Sequence, residues 1–269
     1  MVDPGDFSNR EQTWVTGGAW RRRRLSESDL RERILGSAVA MLTESGGLTV
    51  SMAHLNMEEL IRIADVPRSS VYRAWGSKEA FYVELMERMV APGPEGSYAD
   101  DVVRIARRVL DQSRQLLGTA QGRRAVLEEM VRSTVTQSFH GAARSLAWRS
   151  FTALAVAVPT LDDEDQQRIL AAMAASHARI IDRVAEVYTE TLPLVGMRMK
   201  AGFDIRTAIA TGSATMDGLI RLGFTDPATV ASVILKPGLD GEPVEWELPP
   251  LAFLAILDAM IEPDPEFPA

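Results

Sequence analysis

Between Leu55 and Phe81 the chain reads LNMEELIRIADVPRSSVYRAWGSKEAF, two short amphipathic stretches on either side of a proline-bearing turn. Few architectures accommodate such a segment. Asn56 can cap a first helix whose Met57, Leu60, Ile61 and Ala64 share one face. The triplet DVP then turns the chain. The second stretch, roughly 68–75, spans little more than two helical turns. At about 100° per residue, Val71, Ala74 and Trp75 form one face, while Ser69 and Arg73 point away from it, flanked by Ser70 and Tyr72. Apolar anchors therefore seat this helix and polar side chains are presented outward. Ser77 can cap a further helix with Phe81, Leu85 and Met89 one turn apart.

The surrounding chain supplies a setting for this pair. Leu30, Ile34, Ala38, Met41 and Leu42 follow helical spacing, with Ser26 or Ser28 as cap and Gly46 and Gly47 as the stop. Residues 1–25 show no sustained period and read as a mobile arm. The segment APGPEGS, 91–97, breaks the pattern and forms a junction. Beyond it helical periodicity runs through 98–118, 121–138, 142–158, 162–190, 204–223, 226–235 and 249–262, with no competing strand pattern. Residues 236–250, KPGLDGEPVEWELPP, read as a long loop. The expected fold class is all-α: an arm (1–25), a domain of short helices (26–91), and a larger helical domain (98–269).

Charge and composition narrow the function. The net charge of -8 speaks at first against nucleic acid, but residues 1–90 hold 12 Lys/Arg against 13 Asp/Glu, and 91–269 hold 17 against 24. The negative excess thus lies in the second part, while Arg21 to Arg24 and the set Arg68, Arg73 and Lys78 concentrate positive charge in the first. With no cysteine the chain has neither disulfides nor thiol nucleophiles, which fits a reducing, cytoplasmic setting. The longest apolar run, FTALAVAV at 151–158, falls short of a membrane span.

Two short helices joined by a tight turn, the second presenting polar side chains, are the elements of a helix-turn-helix reader of the DNA major groove. The order of a capped amphipathic helix, LNMEELIRIADVPRSSVYRAW, then GSKEAF, then a larger helical region resembles the TetR family of bacterial transcriptional regulators. The resemblance covers about 30–89; beyond that only helicity and length agree. It implies a homodimer that binds a palindromic operator on double-stranded DNA as a repressor and is released by a small-molecule effector held in the C-terminal helices. On that resemblance Arg68, Ser69, Ser70, Tyr72 and Arg73 span the recognition helix, and Tyr72 and Lys78 fall where phosphate contacts are made. Asp65 stands where the family has glycine in the turn, Pro67 where it has a serine cap, and the stretch LTVSMAHLN is longer than usual.

Other features admit more than one reading. Arg21 to Arg24 suit a minor groove or a solvated run. His177 shares a stripe with Ile169, Met173, Ile180 and Val184, so it is either a satisfied core histidine or a pocket-lining group. Trp148 and Phe151, three residues apart, suit plain core or a cavity wall. The effector pocket is accordingly expected at Trp148, Phe151, Met173 and His177. The run DDED, 162–165, is accounted for by helix capping and the helix dipole. The small residues of AIATGSAT, 208–215, together with PLAFLAILDAMI, 250–261, suit helices packed against a second copy or within one chain. The sequence displays no Walker-type loop, nucleophile elbow or ligand-spaced histidines, so it suggests neither an enzyme, a metal site nor a cofactor. The alternative function is a ligand-binding or scaffolding helical dimer that no longer reads DNA.

Overall fold

The structure, a computed structural model, describes residues 25–44, 56–90 and 98–267. Arg21 to Arg24, Gly46, Gly47, the stretch preceding Asn56 and the 91–97 junction lie outside the described residues.

Three of the four N-terminal helices start on a side-chain acceptor. In α1 (Glu27–Glu44) the Ser26 hydroxyl accepts from the Asp29 amide at 3.0 Å. Asn56 caps α2 (Met57–Ile63) by accepting from the Glu58 amide at 3.0 Å. Ser77 does the same for α4 (Lys78–Val90), accepting from Ala80 at 3.0 Å. Only α3 (Arg68–Trp75) starts without such an acceptor, since Pro67 occupies its N-cap. The turn before it places Asp65 at φ 48°, a left-handed conformation. Gly76, at φ 68°, turns the chain sharply out of α3 into α4.

These helices share a core of Leu30, Ile34, Leu35, Ala38, Leu60, Ile61, Val71, Trp75, Phe81 and Leu85. Trp75 and Phe81 meet edge to face at 5.3 Å, the favoured geometry for an aromatic pair. Arg31 strengthens the corner. Its guanidinium lies 4.9 Å over the Trp75 ring, donates to the Ala74 carbonyl at 2.6 Å and pairs with Glu84, which also accepts from the Trp75 indole N–H at 2.7 Å. The end of α3 is thereby tied to both α1 and α4.

The second core is built by α5 (Tyr98–Gln112), α6 (Ala120–Arg144), α8 (Asp163–Leu194), α9 (Ile205–Thr225) and α11 (Leu248–Met260), around Val126, Met130, Tyr188, Ile209, Phe253 and Leu257. Asp162 caps α8 by accepting from the Asp165 amide at 3.0 Å, the capping role expected of the acidic run. Arg124 grips Asp258 with two hydrogen bonds, at 2.6 and 2.7 Å, and reaches Glu128 at 2.7 Å, fastening α6 to α11. A smaller apolar joint connects the two cores. Val83 and Val90 of α4 pack with Leu154 of α7 (Leu146–Ala157), with Val158, and with Ile169 and Met173 of α8. Beside it, Glu87 and Arg168 pair at 2.7 Å.

Helices dominate, as the periodicity predicts, but four readings require correction. The expected helix over 98–118 ends at Gln112 and continues as a 3-10 turn at Arg114–Gly118. The expectation of no strands also fails: β1 (Met197–Met199) pairs antiparallel with β4 (Ile261–Pro263), and β2 (Val233–Pro237) with β3 (Pro243–Glu247). Of the helix expected at 226–235 only one turn forms, α10 (Pro227–Val230). Val233, Ile234 and Leu235 instead join a hairpin that also absorbs most of the expected 236–250 loop. Its turn is closed by the Gly238 amide donating to the Glu242 carbonyl at 2.7 Å, and its anchor is Trp246, 1% exposed. Lys236 lies 4.4 Å over the Trp246 ring and pairs with Glu128 of α6 at 3.0 Å. Among the described residues no helix is long and apolar enough to cross a membrane.

Candidate functional site

The exposed surface of α3 follows from its anchoring. Val71 and Trp75 are buried, and Arg68, Ser69, Tyr72 and Arg73 are exposed. Ser70 is half-buried: it lines a cleft beside α1 with Arg73, Pro67 and Asp65. Glu27, Asp29, Glu32 and Arg33 of α1 line the same cleft, and Glu27 and Glu32 are paired with Arg31 and Arg88, so Arg73 emerges among charges of both signs.

Tyr72 and Lys78 come together on the other side. With Asn56, Glu58 and Ser77 they line a groove of about 390 Å³ between the start of α2 and the junction of α3 with α4. Lys78 is fully exposed, 5.2 Å over the Tyr82 ring, and its hydrogen bond to Tyr82 holds its ammonium above the ordinary lysine value. It is therefore a standing positive charge at the N-terminus of α4, where backbone amides and helix dipole also favour an anion.

Glu58 is the participant that sequence reasoning did not single out. Its carboxylate accepts from Arg68 at 2.8 Å and from the Tyr72 hydroxyl at 3.2 Å, while the Arg68 guanidinium lies 5.5 Å from the Tyr72 ring centre. In sequence Glu58 looks like a first-turn acid serving the helix dipole; only the turn at Asp65 brings it against residues ten and more positions away. One carboxylate thus holds two of the residues expected to face DNA.

The four residues expected to line a pocket are dispersed. Trp148 alone lines a cavity of about 90 Å³, which lies between α6, α7, α8 and α9, with Val102 of α5 and Phe253 of α11 also in its wall. Phe151 and Met173 belong to the apolar joint against α4. His177 is exposed. The physical reason lies along α8: residues 174–179 include no buried side chain, because there the helix passes from the joint to the main core. A stripe continuous in sequence is therefore uncovered at its middle.

The cavity wall is mostly apolar, from Val135, Phe139, Ile209, Met216 and Ile220 among others. Its polar side chains include Thr134, Ser213, Tyr188 and Asp217. Burial pushes the Tyr188 phenol well above its ordinary value, so it stays neutral, with Thr134 as its hydrogen-bond partner. Asp217 is half-buried on α9, and its Oδ1 accepts from the Trp148 indole N–H at 2.7 Å. Neither Asp217 nor Ser213 carries a signal that helical periodicity detects, because a cavity is made by facing helices rather than by one.

Comparison with known proteins bears on the helix-turn-helix. No family model matches the chain. It is 29% identical over 97 residues to the HTH-type transcriptional repressor NemR of Escherichia coli K12, a match covering 32% of this chain and 46% of that protein. The NemR of Escherichia coli O6:H1 matches with the same figures. The chain thus spans about half the length of the curated relatives it matches. Among solved structures, the reduced form of Escherichia coli NemR aligns with 87% of this chain and 99% of its own at 17% identity and a TM-score of 0.44. A Rhodococcus sp. protein described as a TetR-family transcriptional regulator aligns with 86% and 97%, at 15% identity and 0.37. On the residues of α2 to α4, and with the partial match to an HTH-type transcriptional repressor, the chain resembles TetR-family transcriptional regulators.

Proposed function

We propose that the protein is a TetR-like transcriptional repressor that binds a palindromic operator as a homodimer and is released by a small molecule. The observation that carries this reading is the exposed α3, with Arg68, Ser69, Tyr72 and Arg73 outward and Lys78 beside it at the start of α4. Arg and Ser reach base edges in a major groove, while Tyr72 and Lys78 suit backbone phosphates. Residues 26–91 would be the DNA-binding domain and 98–269 the effector-binding and dimerisation domain. The exposed small side chains of Thr207, Thr211, Ala214, Ala255 and Ala259 on α9 and α11 suit close approach of a second copy. Paired readers would then contact half-sites about one DNA turn or more apart.

The cavity is the effector site in this reading. An effector must bind the released state better than the DNA-bound one, since equal affinity shifts nothing. Helix α4 is the lever, because Val83 and Val90 touch α7 and α8 while Glu84 grips Trp75 of α3. A ligand-binding or scaffolding helical dimer that no longer reads DNA is the second reading, favoured by the engagement of Arg68 and Tyr72 by Glu58.

Selection of genomic fragments by the purified protein at physiological salt, beside a folded Tyr72→Ala/Arg73→Ala variant, tests the proposal. Enrichment of a palindromic site by the native protein alone supports operator reading by α3. Equal enrichment by both, or none, supports the second reading.

A further inference from the structure

Among the described residues lining the cavity between α6, α7, α8 and α9, Asp217 alone has an acidic or basic side chain. Its Oδ1 accepts one hydrogen bond, from Trp148 at 2.7 Å, and among the described residues no cation lies within ion-pair distance of it. A carboxylate offers about four acceptor positions, so most of its capacity is unspent. A half-buried carboxylate on an apolar wall loses hydration, and an uncompensated charge there is costly. Holding the Trp148 indole would require only a neutral acceptor, such as an amide oxygen, without that cost. The charge itself therefore calls for a partner.

Building on the reading of this cavity as the effector site, we infer that it takes a small lipophilic amine, whose ammonium pairs with Asp217 while its hydrocarbon body lies against Phe139, Ile209, Ile220 and Phe253. The amine supplies the donors and positive charge that the carboxylate lacks, and such charge-assisted hydrogen bonds are stronger than neutral ones. An anion meets the reverse situation, since a second negative charge beside Asp217 is repelled. Size is set by the volume: about 90 Å³ suits a short branched alkyl group, being smaller than the roughly 150 Å³ known to accept benzene in an engineered apolar cavity.

The test uses three molecules with one carbon skeleton: isobutylamine, isobutanol and isobutyrate. Each is titrated into the full-length protein without DNA, and the Trp148 indole N–H resonance, identified by its loss in Trp148→Phe, reports occupancy. Isobutylamine is expected to shift that resonance at roughly tenfold lower concentration than isobutanol, with no effect of isobutyrate. In Asp217→Asn, shown to be folded by its far-ultraviolet spectrum and indole dispersion, the advantage of the amine over the alcohol disappears. The inference is overturned if the alcohol or the acid matches the amine in the native protein, if the amine keeps its advantage in Asp217→Asn, or if none of the three shifts the resonance. Operator selection is measured separately: a neutral ligand preference refutes the amine while DNA reading stands, and amine binding without operator enrichment refutes the repressor alone.

Discussion

In the proposed reading, Glu58 competes with DNA for the same groups. It occupies Arg68 and the Tyr72 hydroxyl, and its negative charge would stand beside any phosphate bound near Lys78. Exposed ion pairs contribute about 0–1 kcal/mol, so replacing Glu58 by glutamine should cost little stability and raise operator affinity by roughly two- to fivefold. Fluorescence anisotropy with the selected operator checks this, and an unchanged or weaker affinity would mean that Glu58 orients Arg68 and Tyr72 for DNA instead. Asp65 offers a residue-scale test of folding. Its φ of 48° costs a residue with a Cβ about 1–2 kcal/mol, whereas glycine adopts it freely but loses more chain entropy on folding, about 0.5–1 kcal/mol. Asp65→Gly should therefore stabilise the protein by up to about 1 kcal/mol, read as a higher urea midpoint, and Asp65→Ala should lower it.

Among whole elements, two helix-interior glycines in different surroundings predict opposite signs for one substitution. Gly36 in α1 is exposed, and a Cβ there meets nothing, so Gly36→Ala should gain about 0.5–1 kcal/mol of helix propensity. In α9, Gly212 is buried directly against the Phe253 ring, and a Cβ would overlap it. Gly212→Ala should forfeit that gain and destabilise by about 1–3 kcal/mol of overpacking, seen in the same denaturation series. The elements also mark what the sequence discloses. The helices α1 to α4 were legible because their signals are local: Asn56 and Ser77 cap, and Val71 and Trp75 lie on one face. The hairpin was not, since Val233–Pro237 becomes a strand only by pairing with Pro243–Glu247 and seating Trp246 in the core. The same holds for the cavity. Trp148 was legible as an aromatic on a helix, but its partner Asp217 lies 69 residues away on another helix, and the exposure of His177 depends on where two cores end.

For the molecule as a whole, the question is whether two cores behave as one. Helix α4 belongs to the first core and to the joint: Phe81 and Leu85 face the first core, and Val83 and Val90 pack in the joint with residues of α7 and α8. The joint is small, with Leu154, 2% exposed, at its centre and the Glu87–Arg168 pair at its edge. In the proposed reading a signal from the cavity crosses it, since α7 carries both Trp148 in the cavity wall and Leu154 in the joint. Leu154→Ala removes a buried side chain at a cost of about 2–5 kcal/mol. That loss falls on the coupling between cores rather than on either core, because Leu154 belongs to neither of the two larger apolar clusters. Calorimetry should therefore find one cooperative transition in the native protein, with calorimetric and van't Hoff enthalpies equal, and two in Leu154→Ala. In the variant the upper transition should retain the native response to isobutylamine, as Asp217 and the cavity wall are untouched, while the lower one, from α1 to α4, should lose it. A single transition merely shifted to lower temperature would show that the cores are coupled elsewhere, and would remove α4 from its place as the lever.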